Sequence, residues 1–218
     1  MKKLLLTAIF AALPALTGCT SLSVYQTGKT LPKGKTQFGV GAGAMSDPKT
    51  VTTADDDETL FSGDMWVRYG FTDRVDAGAK LSLPGAATAD VRYGFLNENR
   101  QDRFSLAGGI TATRTLSETG HISLTLIDVM LPLYISKDIA PWLTVYGVPR
   151  YSYRTIKTEL YGNAVSDTLS MWGLGGGVMF NFGPDDRLHL AVEYHRLQSF
   201  SRPGYYSATA GCGLSCDF

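Results

Sequence analysis

From residue 35 onward, apolar and polar residues alternate with a period of two in long runs, separated by clusters of Gly, Pro, Asn and Asp. That is the pattern of strands with one face toward an apolar medium and the other toward a polar one. About ten runs can be counted, near 35–46, 61–71, 74–83, 87–96, 103–115, 121–136, 142–157, 167–182, 187–199 and 205–218. No stretch of useful length carries a helical period. An even set of antiparallel runs predicts an all-β chain, an up-and-down transmembrane β-barrel over residues 35–218, with ten strands and with eight or twelve as alternatives.

The two faces choose between a membrane barrel and a water-soluble one. One face reads Val75, Ala77, Ala79, Leu81, Leu83, then Ala87, Ala89, Val91, Tyr93, Phe95, then Phe104, Leu106, Gly108, Ile110, Ala112, with almost no charge. The other holds Asp64, Arg68, Asp76, Lys80, Asp90, Arg92, Arg150, Arg154, Glu193 and His195 at mid-strand. A soluble barrel points its apolar set inward and its charges to water. Here acids and bases are about equal in number and central, which suits pairing inside a lumen. Asp128 joins this set only if a bulge near Leu126 and Ile127 restores its phase. Tyr69, Phe71, Tyr93, Phe95, Phe104, Trp142, Phe180, Phe182 and Phe218 fall at one end of the strands, and Tyr151, Tyr153, Trp172 and Tyr206 at the other. Two aromatic rings about a bilayer apart are the girdles of a membrane barrel. The inward wall also carries Gly39, Gly41, Gly43, Gly173, Gly175, Gly177, Gly211 and Gly213, which leave room either for a pore or for Arg side chains and Trp66.

The first 19 residues follow a different logic. Met1-Lys2-Lys3 is followed by an apolar run from Leu4 to Leu13 and then by Leu16-Thr17-Gly18-Cys19. A positive start, a short apolar core and small residues at a cleavage point make a secretory signal, and the run is too short to cross about 30 Å of hydrocarbon. The Leu-Thr-Gly-Cys end resembles the lipobox of bacterial lipoproteins. That resemblance implies a signal peptide over 1–18, lipidation of the Cys19 thiol, and processing by the lipoprotein machinery. Thr20 and Ser21 in place of Asp after the Cys imply the outer membrane of a Gram-negative cell as destination, with the N-terminus anchored in the periplasmic leaflet. Residues 19–34 are then expected to be the lipid anchor and a periplasmic linker. The stretch from Tyr25 to Gly34 is similar to the lead-in of uncharacterised outer-membrane barrel lipoproteins. The last run, Tyr206, Ala208, Ala210, Cys212, Leu214, Cys216, Phe218, resembles the terminal signal read by the barrel-assembly machinery. Outer-membrane lipids and lipopolysaccharide are the expected surroundings.

Charge and candidate chemistry narrow the function. Removing residues 1–18 takes away two lysines, leaving 18 basic against 20 acidic residues, so the mature chain has no footprint for nucleic acid. Cys212 and Cys216, four residues apart on a strand, lie about 13 Å from each other and are not expected to bridge or to hold a metal. No cofactor is called for. His121-Ile122-Ser123 resembles the His-x-Ser pair of outer-membrane lipid A deacylases, although that family continues with Asn where this chain has Leu124. Asp55-Asp56-Asp57-Glu58 reads as a solvated loop at the lipopolysaccharide surface. Three functions follow: a structural or binding barrel with a charge-paired lumen, a narrow channel for small polar solutes, and a lipid A or phospholipid hydrolase using His121 and Ser123. Enzymatic activity is the least supported of these. Cys19→Ser is expected to abolish palmitate labelling and slow processing of the precursor; unchanged labelling overturns the assignment of the lipid to Cys19.

Overall fold

The computed structural model of the protein describes residues 21–46, 59–83, 85–96, 104–119, 122–160, 163–183, 187–200 and 206–218. In chain order the strands are β1 (Thr36–Ser46), β2 (Thr59–Thr72), β3 (Val75–Leu83), β4 (Ala86–Leu96), β5 (Phe104–Thr119), β6 (Ile122–Ala140), β7 (Leu143–Leu160), β8 (Asn163–Phe182), β9 (Leu188–Ser199) and β10 (Tyr206–Asp217). Each pairs antiparallel with its sequence neighbours, and β10 pairs with β1 to close the barrel. Closure leaves no edge, so every strand meets its backbone hydrogen-bonding demand within the sheet. The ten strands are the ten alternating runs.

The apolar face is the outer one. Phe38, Val40, Met65, Leu81, Val91, Ile110, Leu131, Leu174, Val192 and Leu214 are all exposed, an outer surface suited to hydrocarbon. Tyr69, Phe71, Tyr93, Phe95, Phe104, Trp142, Phe182 and Phe218 are exposed around one end, and Tyr151, Tyr153 and Trp172 around the other. Phe200 joins the second ring, 6.4 Å from both Tyr151 and Trp172. The side chain of Tyr206 lies outside the described residues. Cys212 and Cys216 are free thiols on β10.

Two sequence expectations need correction. No bulge occurs at Leu126 and Ile127: the β5–β6 ladder runs without a shift through Thr113↔Asp128, Arg114↔Ile127 and Thr115↔Leu126. Leu126 faces inward beside Ile156, its partner on β7, so the apparent break in alternation is an apolar residue in the lumen. Second, β7 and β8 run to Leu160 and Asn163, past the runs read from alternation, because the ladder Lys157↔Ser166, Thr158↔Val165 and Glu159↔Ala164 continues through residues that keep no strict alternation. The bulges lie instead at the opposite end, at Gly70/Thr72, Gly94/Leu96 and Asp138/Ala140, where the sheet turns.

A third correction concerns the expected periplasmic linker. Ser21, Leu22, Ser23, Tyr25, Gln26, Thr27 and Leu31 are buried, and they are buried inside the barrel. Gly34 donates its N–H to the Gly70 carbonyl and Thr36 opens β1, so the chain reverses at the turn end of the barrel and β1 begins there. The linker assignment fails because a lumen lined with charges offers hydrogen bonds that water at the barrel mouth cannot better. A closed barrel whose interior is also filled should resist detergent. Unboiled protein should migrate faster than boiled protein on a gel; identical migration would contradict closure.

Candidate functional site in the lumen

Residues 21–32 run lengthwise through the barrel. At the turn end the Leu31 N–H donates to Asp76 (2.8 Å) and the Thr30 hydroxyl donates to the Asp73 carbonyl (3.1 Å). Lys29 pairs with Asp138 (2.5 Å), and the Gly28 N–H donates to Ser136 (3.0 Å). Further in, Gln26 donates to Gln37 (2.8 Å). The Val24 and Tyr25 N–H groups donate to the two oxygens of Glu193 at 2.7 and 3.0 Å. At the far end the Leu22 N–H reaches the Thr209 hydroxyl (3.3 Å) and the Ser21 hydroxyl donates to Asp64 (2.9 Å).

The carbonyls are satisfied by cations from the wall. Lys80 donates to the carbonyls of Ser21 (3.1 Å) and Ser23 (2.6 Å), Arg150 to that of Leu22 (2.9 Å), and Arg92 to those of Thr27 (2.9 Å) and Lys29 (3.2 Å). Glu193 also accepts from the Tyr146 hydroxyl (2.8 Å) and lies 3.1 Å from His195, whose other ring nitrogen contacts Arg150. The lumen charges fall into three groups. Arg68, Asp76, Asp90 and Arg92 form one cross-strand network near the turn end, and Asp128 and Arg154 form a separate pair at 2.8 Å. Asp64, Lys80, Arg150, Glu193 and His195 gather around residues 21–25, while Asp76 and Arg92 of the first network hold residues 27–31.

Tyr25 is the keystone of that segment. Its φ of 50° is left-handed, a conformation costing of order 1–3 kcal/mol for a residue with a Cβ. In return its ring stacks on Trp66 at 4.6 Å and 17°, and its hydroxyl donates to Asp64 (3.1 Å). The glycines of β1 and β10 make room for this ring and for Trp66: a Cβ added at Gly41, Gly211 or Gly213 lies 2.7 to 2.8 Å from Tyr25 atoms, and one at Gly39 meets Trp66. On β8 the neighbours are others, Leu197 at Gly173, His195 at Gly175 and Glu193 at Gly177. Above the Tyr25 ring, Leu22 packs with Leu169, Met171 and Leu197 in an apolar cap.

The remaining space is uneven. Beside residues 21–26 the void bounded by Trp66, Lys80, Asp90, Tyr134 and Arg150 measures about 50 Å³, room for a few waters. A wider cavity of about 630 Å³ lies beside residues 26–32 at the turn end, lined on the wall by Gln37, Asp138, His189 and Asp217 among others. Cys19, His121 and the Asp55–Glu58 loop lie outside the described residues, as does the side chain of Ser123. The segment itself escaped sequence reading. The available signal was the row of inward glycines on β1, β8 and β10 with too few bulky inward partners to fill them.

The Asp128–Arg154 pair tests whether the lumen is dry. Asp128 is 1% exposed and accepts three hydrogen bonds from Arg154. Arg154→Ala strands that carboxylate and should cost about 3–5 kcal/mol. Arg114 is exposed on the outer face of β5, so Arg114→Ala should change the unfolding midpoint far less. Equal shifts in urea titrations of the two variants would mean that the lumen is wet.

Several solved structures are similar to the chain. Ail, the attachment invasion locus protein of Yersinia pestis, is 15% identical, covering 85% of this chain and 99% of its own, with a TM-score of 0.45. Neisserial surface protein A is 14% identical over 84% of this chain and 96% of its own, with a TM-score of 0.46. An outer membrane channel from Pseudomonas putida F1 is 12% identical over 87% and 97%, with a TM-score of 0.48. No curated protein matches the chain. Residues 35–218 match the family model for the outer membrane protein beta-barrel domain, which spans the whole closed sheet, and the chain belongs to that family.

Proposed function

We propose that this is a lipid-anchored outer-membrane barrel closed by its own N-terminal segment, serving a structural or binding role and not an open conduit. The observation that carries the reading is the occupied lumen: residues 21–32 take the axis, and beside residues 21–26 the void narrows to about 50 Å³. The lipid on Cys19 is supported by the Leu16-Thr17-Gly18-Cys19 sequence. The long strands β5 to β8, which extend furthest at the end opposite Thr36, support an external side there and a periplasmic side at the Thr36 end.

A channel is the second reading, and one observation favours it. Lys80, Arg150 and Glu193 spend their hydrogen bonds on the peptide backbone of residues 21–25, so withdrawal of that segment leaves a polar tube. Conductance in planar bilayers separates the two. The mature protein should be silent, and a variant lacking residues 21–31 should conduct. Steady conductance through the intact protein overturns the closed reading.

A further inference from the structure

The direction of the threaded segment decides where a lipid on Cys19 would sit. Leu31 lies at the level of Gly70 and Asp76, beside the ring of Tyr69 and Phe71. The Leu22 carbonyl accepts from Arg150, whose chain neighbour Tyr151 pairs with Trp172 in the other ring. The segment therefore leads from the turn end toward the far end, turning at the left-handed Tyr25 and bending at Gly28 on the way. Ser21, its last described residue, is bonded to Asp64, and Asp64 stands opposite Ser82.

Ser82 is at the rim of the shortest hairpin. The β3–β4 ladder ends at Ser82↔Ala86 and closes at Gly85, whose N–H donates to the Ser82 carbonyl (2.9 Å). Its neighbours continue: β2 pairs with β1 up to Thr59, four residues beyond its last partner on β3, and β5 pairs with β6 up to Thr119, four beyond its last partner on β4. The wall is therefore notched by about 13 Å. The edges of the notch are apolar on the outer side: Leu81 and Leu83 below, Phe61 on β2 and Leu116 on β5, all exposed. Two further residues of chain reach about 7 Å from Ser21, enough to bring position 19 to that sill.

We infer that the acyl chains carried by Cys19 leave the lumen through the notch above the β3–β4 hairpin and insert into the outer leaflet, anchoring the protein from the external side. This rests on the lipidation reading of Cys19. It replaces the periplasmic-leaflet anchor implied by the lipobox alone, because Ser21 cannot be bonded to Asp64 while a residue two positions away sits at the opposite membrane face, some 25 Å distant. The notch matters because several acyl chains on one cysteine are too bulky to follow the segment along a lumen already filled.

An epitope inserted between Thr20 and Ser21 of the full-length precursor tests the placement. Intact cells should bind the antibody at the level seen after permeabilisation, whereas the same epitope between Asp185 and Asp186, in the β8–β9 turn, should bind only after permeabilisation. Heat-modifiability reports folding of each variant. If the insertion does not fold, Thr20→Lys supplies a single amine for a membrane-impermeant reagent, read on the N-terminal peptide of intact cells. Modification at the external level supports the inference, and staining or labelling that requires permeabilisation or denaturation overturns it. Palmitate labelling of the same variants is scored separately. Its absence with external staining defeats the lipid assignment but not the direction of the segment, and its presence with periplasm-only staining defeats the outer-leaflet anchor.

Discussion

A closed sheet has no backbone groups left over for anything it encloses. All ten strands of this barrel pair with their neighbours, so the peptide inside is held mainly by wall side chains, with the Asp73 carbonyl of the β2–β3 turn as one backbone partner. The segment's own amides and carbonyls must nonetheless find partners in a region with little water. The lumen answers with ions: carboxylates at Glu193 and Asp76 take N–H groups, and cations at Lys80, Arg92 and Arg150 take carbonyls. Charge-assisted bonds are about twice as strong as neutral ones, and each ion is in turn spared an unpaired burial. Segment and wall charges thus depend on each other; either without the other is costly.

The packing obeys the same mutual dependence. Tyr25 adopts an unfavourable backbone conformation that only a well-fitted site can hold, and the fit is made by removing side chains from the facing wall. A Cβ at Gly213 lies 2.7 Å from Tyr25 and 2.8 Å from Trp66, so even alanine there crowds the stack. Glycines weaken strands, and a row of them along β10 and β1 is tolerable because the Tyr25–Trp66 pair fills the space they leave. The apolar cap of Leu22, Leu169, Met171 and Leu197 then seals the far side with the ordinary hydrophobic effect.

Strand number, closure and the lipid-facing side are legible in the sequence because all three follow from period-two alternation. Inward direction is legible for the same reason at Asp76, which lies opposite Arg92 once alternation sets the phase, whereas Asp128, opposite Arg154, reads as inward only through a bulge that the ladder does not contain. The course of residues 21–32 is not, since it has no periodic pattern and its partners lie far away along the chain. Tyr25 meets Glu193 across 168 residues and Leu22 meets Thr209 across 187. Leu126 misled for a related reason. Inward apolar residues at the far end serve the cap on Leu22 and look like errors of phase to any reading that expects a uniformly polar lumen.

The filled and the empty barrel differ by these bonds. Tyr25 is held between the glycine rows of β1 and β10 and the ring of Trp66. Residue 34 leads directly into β1, so the segment lies folded back beside the first strand and the β1–β10 seam. Glu193 on β9 closes the far side through its bonds to the Val24 and Tyr25 N–H groups. An empty barrel leaves Lys80, Arg150 and Glu193 without those partners, so the buried charges shift the balance toward the filled barrel without forbidding the empty one.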